Sequence, residues 1–263
     1  MKIAGLVLSC TLTAAAQFRP FEMMHPYAFT NQQGRVLTCQ LSAPQFTTPG
    51  KKYPIILFLH GSGECGSDNQ RQLKCGIFGL LNQLVQQPEP VFVVAPQCGQ
   101  SNWWVRALAF SPDYRMPEIA PSLDDALALC QHLIETASAD ADRFYITGLS
   151  LGGFATWDAL QRYPDRFAAA VPICGGGDVH LAKKIAHVPV WVFHGQDDKN
   201  VQPDCSRRMV HAMRGAGAKD ARYTEYPRVA HNCWDRAYAT PELVPWLLAQ
   251  KRTTQKRPWW KFW

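Results

Sequence analysis

The feature that most constrains this chain is Phe144-Tyr145-Ile146 followed by the pattern Gly148-x-Ser150-x-Gly152 and then by the segment 154–160. The aromatic and β-branched triplet is the kind of sequence that fills a buried strand. Segment 154–160 has the composition of a helix. Strand, tight turn and helix form the setting in which G-x-S-x-G makes a nucleophile elbow. The flanking glycines let strand and helix approach closely while the serine takes a strained turn, which lifts its hydroxyl from the end of a sheet. The five-residue pattern arises by chance too often to stand alone, so its weight depends on this context and on partners elsewhere.

The surrounding chain supplies the sheet. The runs 53–60 and 91–95 are continuously apolar, as expected of strands buried on both faces of a parallel sheet. Segments 168–173, 189–194 and 222–226 read as further strands, and 34–41, which alternates loosely, as an early one. Helices are expected over 73–85, from Leu123, over 205–215 and from Thr240-Pro241-Glu242 to Leu248. Ser122 is expected to cap the second of these, with Asp125 as its partner. Leu123, Ala126, Leu127, Cys130, Leu133 and Ile134 mark the apolar face of that helix. Strands alternating with helices predict an α/β fold, a mainly parallel central sheet with helices on both faces. No linker divides the chain, and a 47% hydrophobic sequence of 263 residues can fill one large core, so 17–250 is read as a single domain.

The ends differ from the body. Residues 1–16 are expected to be a signal peptide. Lys2 starts it, 3–12 is apolar, and Ala14-Ala15-Ala16 offers a cleavage site; the apolar run is too short to span a bilayer. A secreted or periplasmic location follows as the expectation, with an apolar N-terminal strand in a cytoplasmic protein as the alternative. Of 27 basic side chains, five lie in 251–263, a segment without acids, which leaves 22 against 21 acidic groups in the rest. A body this close to neutral gives no sign of nucleic-acid binding. The tail 251–263 mixes basic residues with Trp259, Trp260, Phe262 and Trp263, a composition suited either to weak contact with an anionic envelope surface or to folding onto an apolar groove.

Nine cysteines are present, eight of them beyond the expected leader. An even count in an exported chain permits disulfides, and Cys65 with Cys75 or with Cys98 could bridge loops. Cys130 and Cys174 lie on apolar stretches and read as small buried hydrophobes. Neither a C-x-x-C pair nor a Cys/His spacing suggests zinc, so neither metal nor cofactor is expected.

A serine nucleophile needs a base and an acid. Behind a nucleophile elbow the acid follows the serine in the chain, and the histidine follows the acid. Of eight histidines, His231 lies in a loop after the last strand. His60 and His194, at the ends of buried strands before a glycine, read as structural. Asp197 and Asp198 both follow the strand ending at His194-Gly195, at the same edge as Ser150. The imidazole would take the serine proton during attack, and the carboxylate would fix the imidazole tautomer. The oxyanion would be met by the backbone N–H of Leu151 and by donors in the loop Gly61-Ser62-Gly63.

With these motifs the sequence resembles the α/β-hydrolase superfamily, and within it the serine carboxylesterases related to polyhydroxybutyrate depolymerases and feruloyl esterases. The stretches that carry the likeness, within 34–248, are 59–64, Asp68-Asn69, 95–98 with Trp103-Trp104 after them, 142–153, 172–178, 194–201 and 230–234. The family pattern His-Gly-x-x-Asp-x-x-Val selects Asp198 over Asp197, because Val201 stands three residues later. The resemblance implies a catalytic triad of Ser150, Asp198 and His231, an oxyanion hole formed at Leu151, Ser62 and Gly63, and an acyl-enzyme route to a small ester or polymer-end ester. Trp103 and Trp104 are expected to wall the substrate site. The chain departs from the pattern at Cys65, where arginine is common, and at Cys233, where a small residue is. A serine peptidase of the same fold is the alternative expectation, and a non-catalytic binding protein on a hydrolase scaffold is a further one.

Overall fold

The computed structural model describes residues 20–106 and 111–252. Eight strands form one sheet: β1 (His25–Thr30), β2 (Val36–Ser42), β3 (Tyr53–Leu59), β4 (Phe92–Pro96), β5 (Ala139–Leu149), β6 (Ala169–Ile173), β7 (Val190–Gly195) and β8 (Ala221–Tyr226). Their spatial order is β1-β2-β4-β3-β5-β6-β7-β8. From β4 to β8 every pairing is parallel, while β1 and β2 are antiparallel additions at one edge. This is the mainly parallel sheet that the alternation of strands and helices predicts.

Alternation along the buried strands serves two cores. On β3, Ile55, Leu57 and Leu59 point into one cluster, and Ile56 and Phe58 into the other. The first is covered by α2 (Pro121–Thr136), α3 (Leu151–Arg162), α4 (Ala182–Ile185) and α5 (Asp204–Gly215), through residues such as Leu127, Phe154, Ile185 and Met209. The second is covered by α1 (Ile77–Leu84), α6 (Trp234–Tyr238) and α7 (Leu243–Ala249), through Leu81, Tyr238 and Val244. Burial on both faces explains why the central strands read as unbroken apolar runs.

Several local expectations need correction. Ser122 does not cap α2. Pro121 already occupies the first helical turn, where its missing N–H costs nothing, and Ser122 Oγ donates instead to the Trp103 carbonyl at 2.7 Å. Asp125 is occupied by Arg35, whose Nε and Nη2 lie 2.9 and 2.7 Å from its two oxygens. The helix expected from Leu73 begins at Ile77, because Gly76 adopts a left-handed φ of 71° after a single 3-10 turn, Arg71–Leu73. The last helix begins at Leu243, and the short α6 precedes it. Strand β1 has mostly exposed side chains and so leaves no apolar signal.

The expected leader and most of the tail, 253–263, lie outside the described residues. Arg252 is bound back to the body: its N–H donates to the Asp142 carbonyl at 2.8 Å, and its guanidinium lies 2.7 Å from Asp142 Oδ1 and 3.0 Å from the Asp165 carbonyl.

Candidate active site

Strand β5 runs directly into the elbow. Ser150 has φ 54° and ψ −116°, a left-handed conformation that costs a non-glycine residue on the order of 1–3 kcal/mol. The turn is held by Ser150 N–H donating to the Ile173 carbonyl at 2.9 Å and by Phe154 N–H donating to the Ser150 carbonyl at 3.0 Å. Neighbouring backbone leaves no room for side chains on either side. A β-carbon at Gly148 would strike the Gly152 carbonyl, and one at Gly152 would strike the carbonyl oxygen of Leu59 at the end of β3.

Asp198 and His231 converge on this turn from two other loops. A β-carbon on Gly195, at the end of β7, would collide with the Val229 and Ala230 carbonyls, so these two loops pack backbone against backbone. Asp197 N–H donates to the Val229 carbonyl at 2.9 Å, and Arg228 makes the reversal with φ 59°. His231 Nε2 lies 2.9 Å from Ser150 Oγ, and its Nδ1 lies 2.7 Å from Asp198 Oδ2. A carboxylate can only accept, so Nδ1 carries the proton and Nε2 presents its lone pair to the serine hydroxyl. Asp197 is exposed; Asp198 is buried.

The Asp198 carboxylate is fully engaged. Oδ1 takes the N–H groups of Asn200 and Val201, each at 2.9 Å, and Oδ2 takes His231 together with His194 Nε2 at 3.1 Å. Burial by itself would raise its pKa, but the hydrogen bonds from His194, His231 and Val201 outweigh it and hold the group well below the usual carboxylate range. The contact with His194 was hidden in a residue whose place at a strand end reads as ordinary packing. The signal the sequence carries is its place at the head of the pattern His-Gly-x-x-Asp-x-x-Val, four residues before the acid. Trp234, which ends the 230–234 stretch, stands edge-on to His231 with ring centres 5.4 Å apart.

On the other side of Ser150 lies the loop after β3. A β-carbon on Gly61 would be 3.6 Å from Ser150 Cβ, which sets the single turn Ser62–Glu64 beside the nucleophile. Leu151 is the first residue of α3, where an N–H has no intrahelical acceptor. His60 braces this loop. Its Nδ1 donates to the Gly61 carbonyl at 2.6 Å, and its Nε2 accepts the Cys98 N–H at 3.1 Å. Burial pushes its pKa down to about 4.

Trp104 does not line a substrate site. It is 0% exposed, its ring centre lies 5.0 Å from that of His60, and its indole N–H donates to the His60 carbonyl at 3.2 Å. The aromatic pair splits because one ring fills the core under the loop while Trp103 is 38% exposed. Among the described residues all cysteines are free thiols. Cys65 Sγ lies 3.5 Å from Cys98 Sγ, whereas Cys75 donates to Glu64 Oε1 at 3.3 Å. Cys130 and Cys174 are buried. The donors of His60, Cys65 and Cys98 lie within 4.8 Å of one another, but both ring nitrogens of His60 are already committed to backbone groups.

Comparison with known proteins agrees with the fold. A solved thermostable esterase superposes with a TM-score of 0.78 at 34% identity, over 89% of this chain and 64% of that one. The chain has the α/β-hydrolase fold. The model of the prolyl oligopeptidase family matches residues 120–191, which in this fold run from α2 through the elbow to β7. Human dipeptidyl peptidase 8 is 30% identical over 188 residues, 67% of this chain and 19% of that protein. Poly(3-hydroxyalkanoate) depolymerase C of Paucimonas lemoignei is 54% identical over 39 residues, 15% of this chain and 9% of that protein. The chain therefore spans about a fifth or less of these two curated relatives.

Proposed function

We propose that this chain is a serine hydrolase that cleaves carboxylic esters through an acyl-enzyme, with Ser150 as nucleophile, His231 as base and Asp198 as its orienting acid. The observation that carries the reading is the unbroken line Ser150 Oγ, His231 Nε2, His231 Nδ1, Asp198 Oδ2, with contacts of 2.9 and 2.7 Å. As Ser150 Oγ adds to the ester carbonyl carbon, its proton passes to His231 Nε2. The new positive charge on the ring faces a carboxylate that stays ionised. The oxyanion is met by Leu151 N–H and by N–H groups of the Ser62–Gly63 turn. His231 then protonates the leaving alcohol, and the C–O bond to it breaks. Water, deprotonated by the same imidazole, attacks the acyl-serine, and Ser150 recovers its proton as the acid departs.

Ester rather than amide substrates are favoured by the 34% identical esterase. The prolyl oligopeptidase model and dipeptidyl peptidase 8 favour a second reading, a serine peptidase of the same fold. Exposed Trp103 is the aromatic side chain we propose for the substrate wall, and a small or polymer-end ester is the proposed substrate. The deciding experiment is labelling of Ser150 by a fluorophosphonate, followed by turnover of matched ester and amide substrates. Ester cleavage abolished by Ser150→Ala supports the proposal; faster cleavage of the amide transfers it to the peptidase reading; absence of labelling and turnover rejects both.

A further inference from the structure

His194 is wholly buried at the end of β7 and carries more hydrogen bonds than packing requires. Its Nε2 faces Asp198 Oδ2 at 3.1 Å and the Val201 carbonyl at 3.0 Å. Both are acceptors, so Nε2 bears a proton. Its Nδ1 lies 2.7 Å from Ser206 Oγ, and that hydroxyl is also 2.9 Å from the Gly175 carbonyl. Two imidazoles therefore converge on one carboxylate oxygen: His231 from the loop after β8 at 2.7 Å, and His194 from the strand beneath.

We propose that His194 is a positioning residue that governs the base: by donating to Asp198 Oδ2 it orients the carboxylate and divides that oxygen between two rings, which sets how readily His231 holds a proton. This rests on the serine-hydrolase reading of the site. The sign follows from the shared oxygen. A carboxylate oxygen that already accepts one N–H offers less to a second donor. An unshared Oδ2 would favour the protonated form of His231 more strongly.

The titratable and charged groups around His194 are few. Asp198 and His231 face it from the loops. Glu225 stands opposite on β8, where it is paired with Arg207 at 2.8 and 2.7 Å and bonded to Tyr223. From α5 come Ser206 and the buried Cys205, whose thiol burial pushes up to about 12. None of these replaces the donation to Oδ2.

The test compares wild type with His194→Leu, which removes the donor, and His194→Gln, which keeps an N–H near the Nε2 position. His231 is titrated by NMR in 15N-histidine-labelled protein, a measurement that needs no turnover. The expected result in His194→Leu is a midpoint about 0.5–1 pH unit higher, in the range by which single hydrogen bonds move such groups, and a return towards wild type in His194→Gln. The acid limb of kcat/KM should move with it, with a loss of about tenfold. An unmoved midpoint in folded His194→Leu overturns the proposal. Should that variant not fold, the wild-type protein decides: the His194 Nε2–H resonance must shift as His231 titrates, and a resonance indifferent to that titration overturns it equally. Wild-type protein that neither labels nor hydrolyses would defeat the serine-hydrolase reading instead, while the NMR result would still report on the shared oxygen.

Discussion

Gly152 and Leu59 meet so closely that a β-carbon on the glycine would overlap the leucine carbonyl oxygen. This contact presses the first turn of α3 against the end of β3 and so sets the nucleophile beside the loop of Gly61 and Ser62. Gly152→Ala forces strand and helix apart. It is expected to destabilise the fold by roughly 1–3 kcal/mol or more, as overpacking does. The measurement is a shift in denaturant midpoint, and a midpoint equal to wild type would show that the elbow yields more easily than its packing implies.

Ser150→Ala should leave the denaturant midpoint near that of wild type, because alanine keeps the β-carbon and meets the same left-handed turn as serine. Ester turnover should fall by roughly 10⁴-fold or more. Asp198→Asn should also lose about 10⁴-fold in kcat, because an amide at this position no longer holds His231 in the tautomer that accepts the serine proton. Steady-state kinetics with a chromogenic ester check both; a loss under tenfold in either contradicts the assigned roles.

His60 predicts an acid-sensitive stability that is independent of catalysis. Its pKa is held near 4 in the folded chain, against 6.5 ordinarily. Between those values the unfolded chain binds a proton that the folded chain refuses, so stability is fully present above pH 6.5 and falls as pH drops towards 4. The loss should reach about 3 kcal/mol. Protonation at Nε2 also breaks the bond from Cys98 N–H. Denaturant unfolding at a series of pH values, compared with His60→Gln, reads this directly. Parallel slopes in the two proteins would remove His60 as the cause.

The two neighbouring tryptophans should behave differently. Trp104→Ala empties a fully buried site and orphans the His60 carbonyl, with an expected cost of about 3–5 kcal/mol. Trp103→Ala should change stability by less than about 1 kcal/mol and act on KM for aryl or long-chain esters. Equal losses of stability would show that Trp103 also belongs to the core.

Much of this molecule can be read from its sequence because the central strands are buried on both faces and the elbow glycines are dictated by backbone contact. Ser150 and His231 follow from their order and from their places at strand ends, whereas the choice of Asp198 over Asp197 comes from the family pattern that sets Val201 three residues later. What stays hidden depends on side chains meeting across the chain. Strand β1 has no apolar face to announce it. Ser122 has the chemistry of a cap but finds the Trp103 carbonyl first. Trp103 and Trp104 are identical letters, and only the packing against His60 separates them. His194 resembles a core histidine until its ring is seen to share an oxygen with His231.

The members of the proposed triad are 81 and 33 positions apart in the sequence, counted from Ser150 to His231 and from Asp198 to His231. No local segment can hold such an arrangement. It exists only once β5, β7 and β8 have taken their final places in the sheet. Chemical reactivity at Ser150 is thereby a gauge of long-range order: a molecule that captures an active-site label has assembled the sheet from β5 to its β8 edge.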